Sequence, residues 1–141
     1  MYRHILVAID LLDTDIAVLK KACEIAKTYN ADVSVIHVCD AHVTGYGEAT
    51  AKHHIANDMQ IKQQCFPLIK SMLQQVDSEH VKTELLFGRP ADVIHQFAEQ
   101  KDCDLIVVGS HGYSGVKALL GSTAHKVLHG AQCDVHTVRI I

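Results

Sequence analysis

Apolar residues along this chain come as short unbroken runs and as looser stretches at helical spacing, and the two alternate. The first run, Ile5-Leu6-Val7-Ala8-Ile9, lies within residues 3–10. An uninterrupted apolar run of this kind suits a strand covered on both faces, as in a parallel sheet. Asp13-Thr14-Asp15 then offers capping side chains and negative charge for a helix start. Val18, Ala22, Ile25, Ala26 and Tyr29 follow at helical spacing, and Asn30-Ala31-Asp32 ends that helix. Val33-Ser34-Val35-Ile36-His37-Val38 predicts a second strand, residues 40–50 a polar loop, and residues 52–75 a second helix. Pro67 inside that helix predicts a kink or a restart, because proline lacks a backbone donor. A third strand covers 81–87 and a turn follows at Gly88-Arg89-Pro90, with Pro90 where a helix begins. A third helix covers 91–100. Leu105-Ile106-Val107-Val108 is a fourth strand that runs into Gly109. A fourth helix over 122–129, ended by Gly130, and a fifth strand over 135–140 complete the pattern.

The order βαβαβαβαβ predicts an α/β fold, a parallel sheet with helices on both faces. At 141 residues the chain is one domain. Right-handed crossovers leave few topologies. In such sheets ligands sit beyond the carboxyl ends of the strands, where strand order reverses. The loops after strands one, two and four are therefore the places to look for function.

Composition narrows the classes. Hydrophobic residues make up 48% and charged residues 21%, an ordinary globular balance. No apolar run approaches the roughly 20 residues that span a bilayer, and the start of the chain reads as a strand and not a signal peptide. The expectation is a cytoplasmic protein with no membrane role. The net charge of −3 argues against a nucleic-acid binder, which needs a basic face. Cys23, Cys39, Cys65, Cys103 and Cys133 are odd in number and widely spaced, so neither a disulfide frame nor a zinc ribbon is indicated. The 11 histidines make charge, and with it solubility, sensitive to mild acid.

The densest chemistry follows strand four. It reads Gly109-Ser110-His111-Gly112-Tyr113-Ser114-Gly115, then Val116-Lys117-Ala118-Leu119-Leu120, then Gly121-Ser122-Thr123. Glycines let a backbone approach a ligand or take positive φ. Gly121-Ser122-Thr123 opens a helix whose free N–H groups and dipole suit an anion, with two hydroxyls to help. A flexible turn with an ordinary Ser/Thr cap would use the same residues. A P-loop is excluded because no lysine follows the glycine, and a dinucleotide fingerprint because strand one ends in Asp10-Leu11-Leu12-Asp13.

These residues resemble the nucleotide-binding branch of the universal stress protein family. The family motif is G-x2-G-x9-G-[ST]. This chain has Gly109-x2-Gly112-x8-Gly121-Ser122, one residue shorter in the middle spacer. The resemblance covers nearly the whole chain. It includes His4-Ile5-Leu6-Val7-Ala8-Ile9-Asp10, Gly88-Arg89-Pro90, Asp104-Leu105-Ile106-Val107-Val108-Gly109 and the last strand. Ala8 stands where proline is common two residues before the aspartate. The resemblance implies a single domain over residues 1–141. It also implies a three-layer, Rossmann-like α/β/α sandwich of the adenine nucleotide alpha hydrolase type, with a five-stranded parallel sheet ordered 3-2-1-4-5. The implied ligand is ATP or AMP, with Mg2+ carried by ATP. Asp10 would face the nucleoside, and backbone around Ala8 and Val38 would meet the base. Gly109, His111, Gly112, Gly121, Ser122 and Thr123 match the ribose and phosphate site. A homodimer through Val135-His136-Thr137-Val138-Arg139-Ile140 is implied too, as is a nucleotide-responsive stress or regulatory role toward an unknown protein partner. A slow ATP hydrolase using the same loop is the alternative.

Other clusters read more plainly. Asp10, Asp13 and Asp15 could form an acidic metal pocket of the receiver-domain kind, but strand three ends Leu86-Phe87-Gly88 without the aspartate that reading needs. Helix capping accounts for Asp13 and Asp15, while Asp10 is the functional candidate at a strand's carboxyl end. His125 and His129, four apart, read as a solvated stripe rather than a metal site, and His53-His54 as surface. His111 either touches the ligand or shapes the loop. Lys117 either reaches a phosphate or faces water, and water is the preferred reading; Arg89, in the turn after strand three, is a minor candidate for the cleft border. Ser110 or Ser122 near His111 lacks a third group, so no nucleophile–base–orienter set is legible and no catalytic residue is assigned.

Overall fold

A computed structural model describes residues 1–39, 51–77, 81–110 and 121–140, with residues 51–57 described as backbone only. The elements are β1 (His4–Ala8), α1 (Asp15–Tyr29), β2 (Asp32–Cys39), α2 (Ala51–Leu73), β3 (Val81–Phe87), α3 (Pro90–Gln100), β4 (Leu105–Gly109), α4 (Ser122–Gly130) and β5 (Asp134–Val138). All strand pairings are parallel, in the order β3-β2-β1-β4-β5. The expected three-layer fold and strand order are therefore observed.

Strand periodicity sorts the core into two layers. Ile5, Val7, Val33, Val35, Leu105 and Val107 face one side and pack with Val18, Leu19 and Ala22 of α1 and with Ile69 and Met72 of α2. Leu6, Ile36, Ile106 and Val108 face the other and pack with Ile94 and Phe97 of α3 and Ala124 and Val127 of α4. The apolar runs read as two-face-covered strands because alternate residues enter different layers. Full burial of one such side chain contributes about 2 kcal/mol.

Element ends follow local chemistry. Asn30 closes α1 in the left-handed conformation, φ 53°, ψ 47°, which asparagine tolerates better than most residues. Gly88 has φ 139°, and a Cβ there would lie 2.8 Å from Val93 Cγ2, so glycine is required on both counts. Pro90 is the first residue of α3, the helix-opening position expected for it. α2 continues through Pro67 as one element, so the expected restart does not occur. β5 begins at Asp134 and ends at Val138, two residues short of the expected end at 140. The chain turns out of the ladder there because Ile140 N–H goes to Ser110 Oγ at 3.1 Å.

Capping by the first acidic cluster needs correcting. Thr14 is the N-cap of α1 and makes no side-chain cap bond. Asp15, buried at 1% exposure, points back instead of capping: Asp10 N–H and Leu12 N–H donate to its Oδ2 at 2.8 and 3.0 Å. Its carboxylate organises the β1–α1 turn.

Candidate functional site

The carboxyl ends of β1, β2 and β4 and the first turn of α4 meet at one cleft. Ala8, Asp10, Val38, Gly109 and Thr123 line it, with Pro90 and Ile94 of α3 as the far wall. The switch in strand order explains the place. β1 leads to α1 on one face and β4 to α4 on the other, so the two loops diverge and leave a crevice between them.

Backbone bonding sets the shape of the cleft floor. Ile9 N–H donates to Ile36 O at 3.0 Å. His37 Nδ1 lies 2.7 Å from Ile9 O, and because a carbonyl only accepts, that nitrogen carries the proton. β1 and β2 are thus clamped together one residue past their last ladder pair, Ala8↔Ile36. Leu11 follows with φ 63°, a strained conformation for a leucine. The two N–H groups held by Asp15 flank Leu11, so a buried carboxylate holds the strained residue and aims the segment carrying Asp10. Neither the His37 nor the Asp15 role was legible beforehand, beyond the oddity of a histidine inside an apolar strand.

The α4 side has the opposite electrostatic sense. Gly121 is the N-cap, with φ −58° and ψ 155°, and among the described residues no side-chain cap bond is seen. That backbone is open to any residue, so positive φ is not what selects glycine at 121. The first-turn N–H groups of α4 have no intrahelical acceptors and carry the positive end of the helix dipole. Ser122 lies in an adjoining groove with Arg89, Thr123 and Lys126. The cleft proper encloses only about 30 Å³, while the groove it opens into through Pro90 and Thr123 encloses about 530 Å³. A small-molecule site of ordinary size needs about 300 Å³ or more, so cleft and groove serve a ligand only together. Asp10 and Asp15 lie at one end, and Arg89 and Lys126, with Asp92 among them, at the other.

Five of the nine sequence-derived site residues thus line one cleft, and Ser122 lies beside it. Gly121 caps the helix that closes it. His111, Gly112 and Lys117 lie outside the described residues, as do the side chains of His53 and His54. Ser110, weighed above as a nucleophile, spends its hydroxyl as the acceptor for Ile140 N–H. His125 and His129 are exposed with ring centroids 4.4 Å apart, and among the described residues no three His, Cys, Asp or Glu side chains are placed to hold a metal. No helix among the described residues is long and apolar enough to cross a membrane.

The model of the universal stress protein family matches residues 1–139. The chain belongs to that family. It is 34% identical over 138 residues to universal stress protein A homolog 1 of Coxiella burnetii, covering 97% of this chain and 96% of that one. Among solved structures of the family, it resembles a universal stress protein in complex with cAMP, with 20% identity, a TM-score of 0.73 and 98% and 97% of the two chains covered. It also resembles the universal stress protein of Archaeoglobus fulgidus in complex with dAMP, with 23% identity, a TM-score of 0.62 and 99% and 98% covered. At these identities the two structures establish the shared fold.

Proposed function

We propose that this universal stress protein binds an adenine nucleotide, ATP or AMP, in the cleft between β1 and β4, and that occupancy regulates what it offers to a protein partner. The observation that carries this reading is the convergence of Ala8, Asp10, Val38, Gly109 and Thr123, from four separate segments, on one crevice. The walls fit the parts of such a ligand. Ala8, Val38 and Val108 give apolar contact for a base, and the Asp10 carboxylate can accept from ribose hydroxyls. The open first turn of α4, the Ser122 and Thr123 hydroxyls, Arg89 and Lys126 suit phosphates, with Mg2+ arriving on ATP. That two proteins of the same fold are complexes with cAMP and dAMP supports the choice of base.

A cytoplasmic homodimer completes the proposal. Among the described residues β5 pairs only with β4, so its outer edge carries backbone donors and acceptors toward a second copy. Isothermal titration with AMP and ATP tests the site, with Gly121→Asp as the variant. The extended backbone at 121 accepts aspartate without strain, so the fold is expected to survive while affinity falls at least tenfold through lost space and charge repulsion. Unchanged affinity would remove the site.

A further inference from the structure

The amino end of the sheet, opposite the nucleotide cleft, carries a second constellation. His4, the first residue of β1, sits between two partners. Its Nδ1 is 3.0 Å from the carbonyl oxygen of Lys101, and its Nε2 is 2.8 Å from Ser34 Oγ. A carbonyl cannot donate, so Nδ1 bears a proton. In the neutral ring the lone pair is then on Nε2, and the Ser34 hydroxyl donates to it. This is a nucleophile, a base and a group that orients the base, in the order that activates a serine.

The surroundings suit that chemistry. Ser34 is 6% exposed, and what remains exposed opens onto a groove of about 440 Å³ lined by His4, Lys82, Glu84, Phe97 and Lys101. Ser34 sits on β2, hydrogen-bonded in the sheet to β1 and β3, so its hydroxyl is held on a rigid element. Lys82 is its register partner on β3 and rises from the same face, which puts a cation beside the nucleophile where negative charge would develop. The Asp104 carboxylate fixes the strand that carries the base: Arg3 N–H donates to it at 2.9 Å and His4 N–H at 3.1 Å.

The geometry points to a second, esterolytic site in this groove, acting on small acyl esters. Ser34 Oγ attacks the acyl carbonyl carbon as its proton passes to His4 Nε2. The imidazolium returns that proton to the leaving alkoxide oxygen as the ester C–O bond breaks, leaving acyl-Ser34 and an alcohol. Water, deprotonated by His4 Nε2, then attacks the acyl carbon and the proton goes back to Ser34 Oγ. The balance is ester plus water to acid plus alcohol, with nothing oxidised or reduced. The proposal is independent of nucleotide binding, since no residue of the groove lines the cleft.

The test is labelling of the native full-length protein with a fluorophosphonate, mapped by peptide mass spectrometry, together with p-nitrophenyl acetate hydrolysis. Ser34 is expected to label at least tenfold faster than any other serine, and His4→Gln to slow both labelling and turnover tenfold or more. Lys82→Gln, a change on the exposed rim that leaves the core untouched, is expected to lower turnover several-fold. Ser34→Ala should abolish turnover. The proposal is overturned if Ser34 in the wild-type protein stays unlabelled, a result that needs no variant to fold. It is also overturned if esterolysis persists in a folded Ser34→Ala protein, or if a folded His4→Gln protein labels at the wild-type rate.

Discussion

The two ends of the sheet are built on different plans. At the amino end, side chains tie residues far apart in the chain: Asp104 holds Arg3 and His4, and His4 holds Lys101 and Ser34. Backbone bonds from Asp32 N–H to Arg3 O and from Asp104 N–H to His4 O add to the seal. The carboxyl end has long-range bonds too, such as His37 to Ile9, but its β1–α1 turn is held by a local carboxylate. Asp15 holds residues three and five positions back, around a leucine at φ 63°, and among the described residues no side chain caps the first turn of α4. The contrast shows where this fold keeps unspent bonding capacity. A site for an anion needs donors the protein has not already used, and those lie at the carboxyl end. At the amino end the donors described above, Arg3 N–H, His4 N–H and the His4 ring, are bonded within the protein.

The sharpest break of that contrast is at Asp15. Replacing it with alanine frees two turn N–H groups beside a strained residue, and the expected loss is about 2–4 kcal/mol in urea unfolding, with weaker adenylate binding. A loss under about 1 kcal/mol would mean that the turn holds itself. Asp104→Asn tests the other end, with an expected cost of about 1 kcal/mol at neutral pH because the group is partly exposed. Burial raises the pKa of Asp104, but the N–H bonds from Arg3 and His4 outweigh it and hold the carboxyl below its ordinary 3.8. The sign follows from linkage. This stabilisation is complete above the unfolded value and is lost as pH falls below 3.8 through the depressed folded value. Wild type and Asp104→Asn should therefore converge in stability in that acid range, and parallel curves down to pH 2 would rule the carboxylate out as the cause. The smallest effect concerns Cys103, whose thiol is pushed up to about 12, mainly by burial and then by Cys133 nearby. Iodoacetamide at pH 8 should leave it unmodified over hours in the native protein, and rapid alkylation would show that its end of α3 opens.

The sheet was legible because each buried strand is an apolar run and each break carries Gly, Pro, Asn or Asp. Ile5 to Ile9 and Leu105 to Val108 admit little else. The cleft was legible in outline because glycines and a Ser-Thr pair follow a strand, a pattern that is local. What stayed hidden depends on side-chain bonds without a period. His37 clamps Ile9 across 28 positions, and His4 meets Ser34 across 30. Nothing in a strand's alternation reports which histidine nitrogen will find a carbonyl. Asp15 was read as a cap because its type and place permit one, and only the fold of the turn shows it reaching backward. The early end of β5 was hidden for the same reason, since the hydroxyl of Ser110 competes for a backbone donor that the pattern assigns to the ladder.

The position of β1 in the middle of the sheet bears on how the protein is made. β1 is made before the other strands, yet one of its two flanking strands is β4, residues 105–109. The Asp104 carboxylate that secures its start is about 100 positions downstream. β1 therefore waits, apolar and half-partnered, until β4 has been made. Such late closure slows folding and lengthens the interval in which nascent chains can associate wrongly or recruit chaperones.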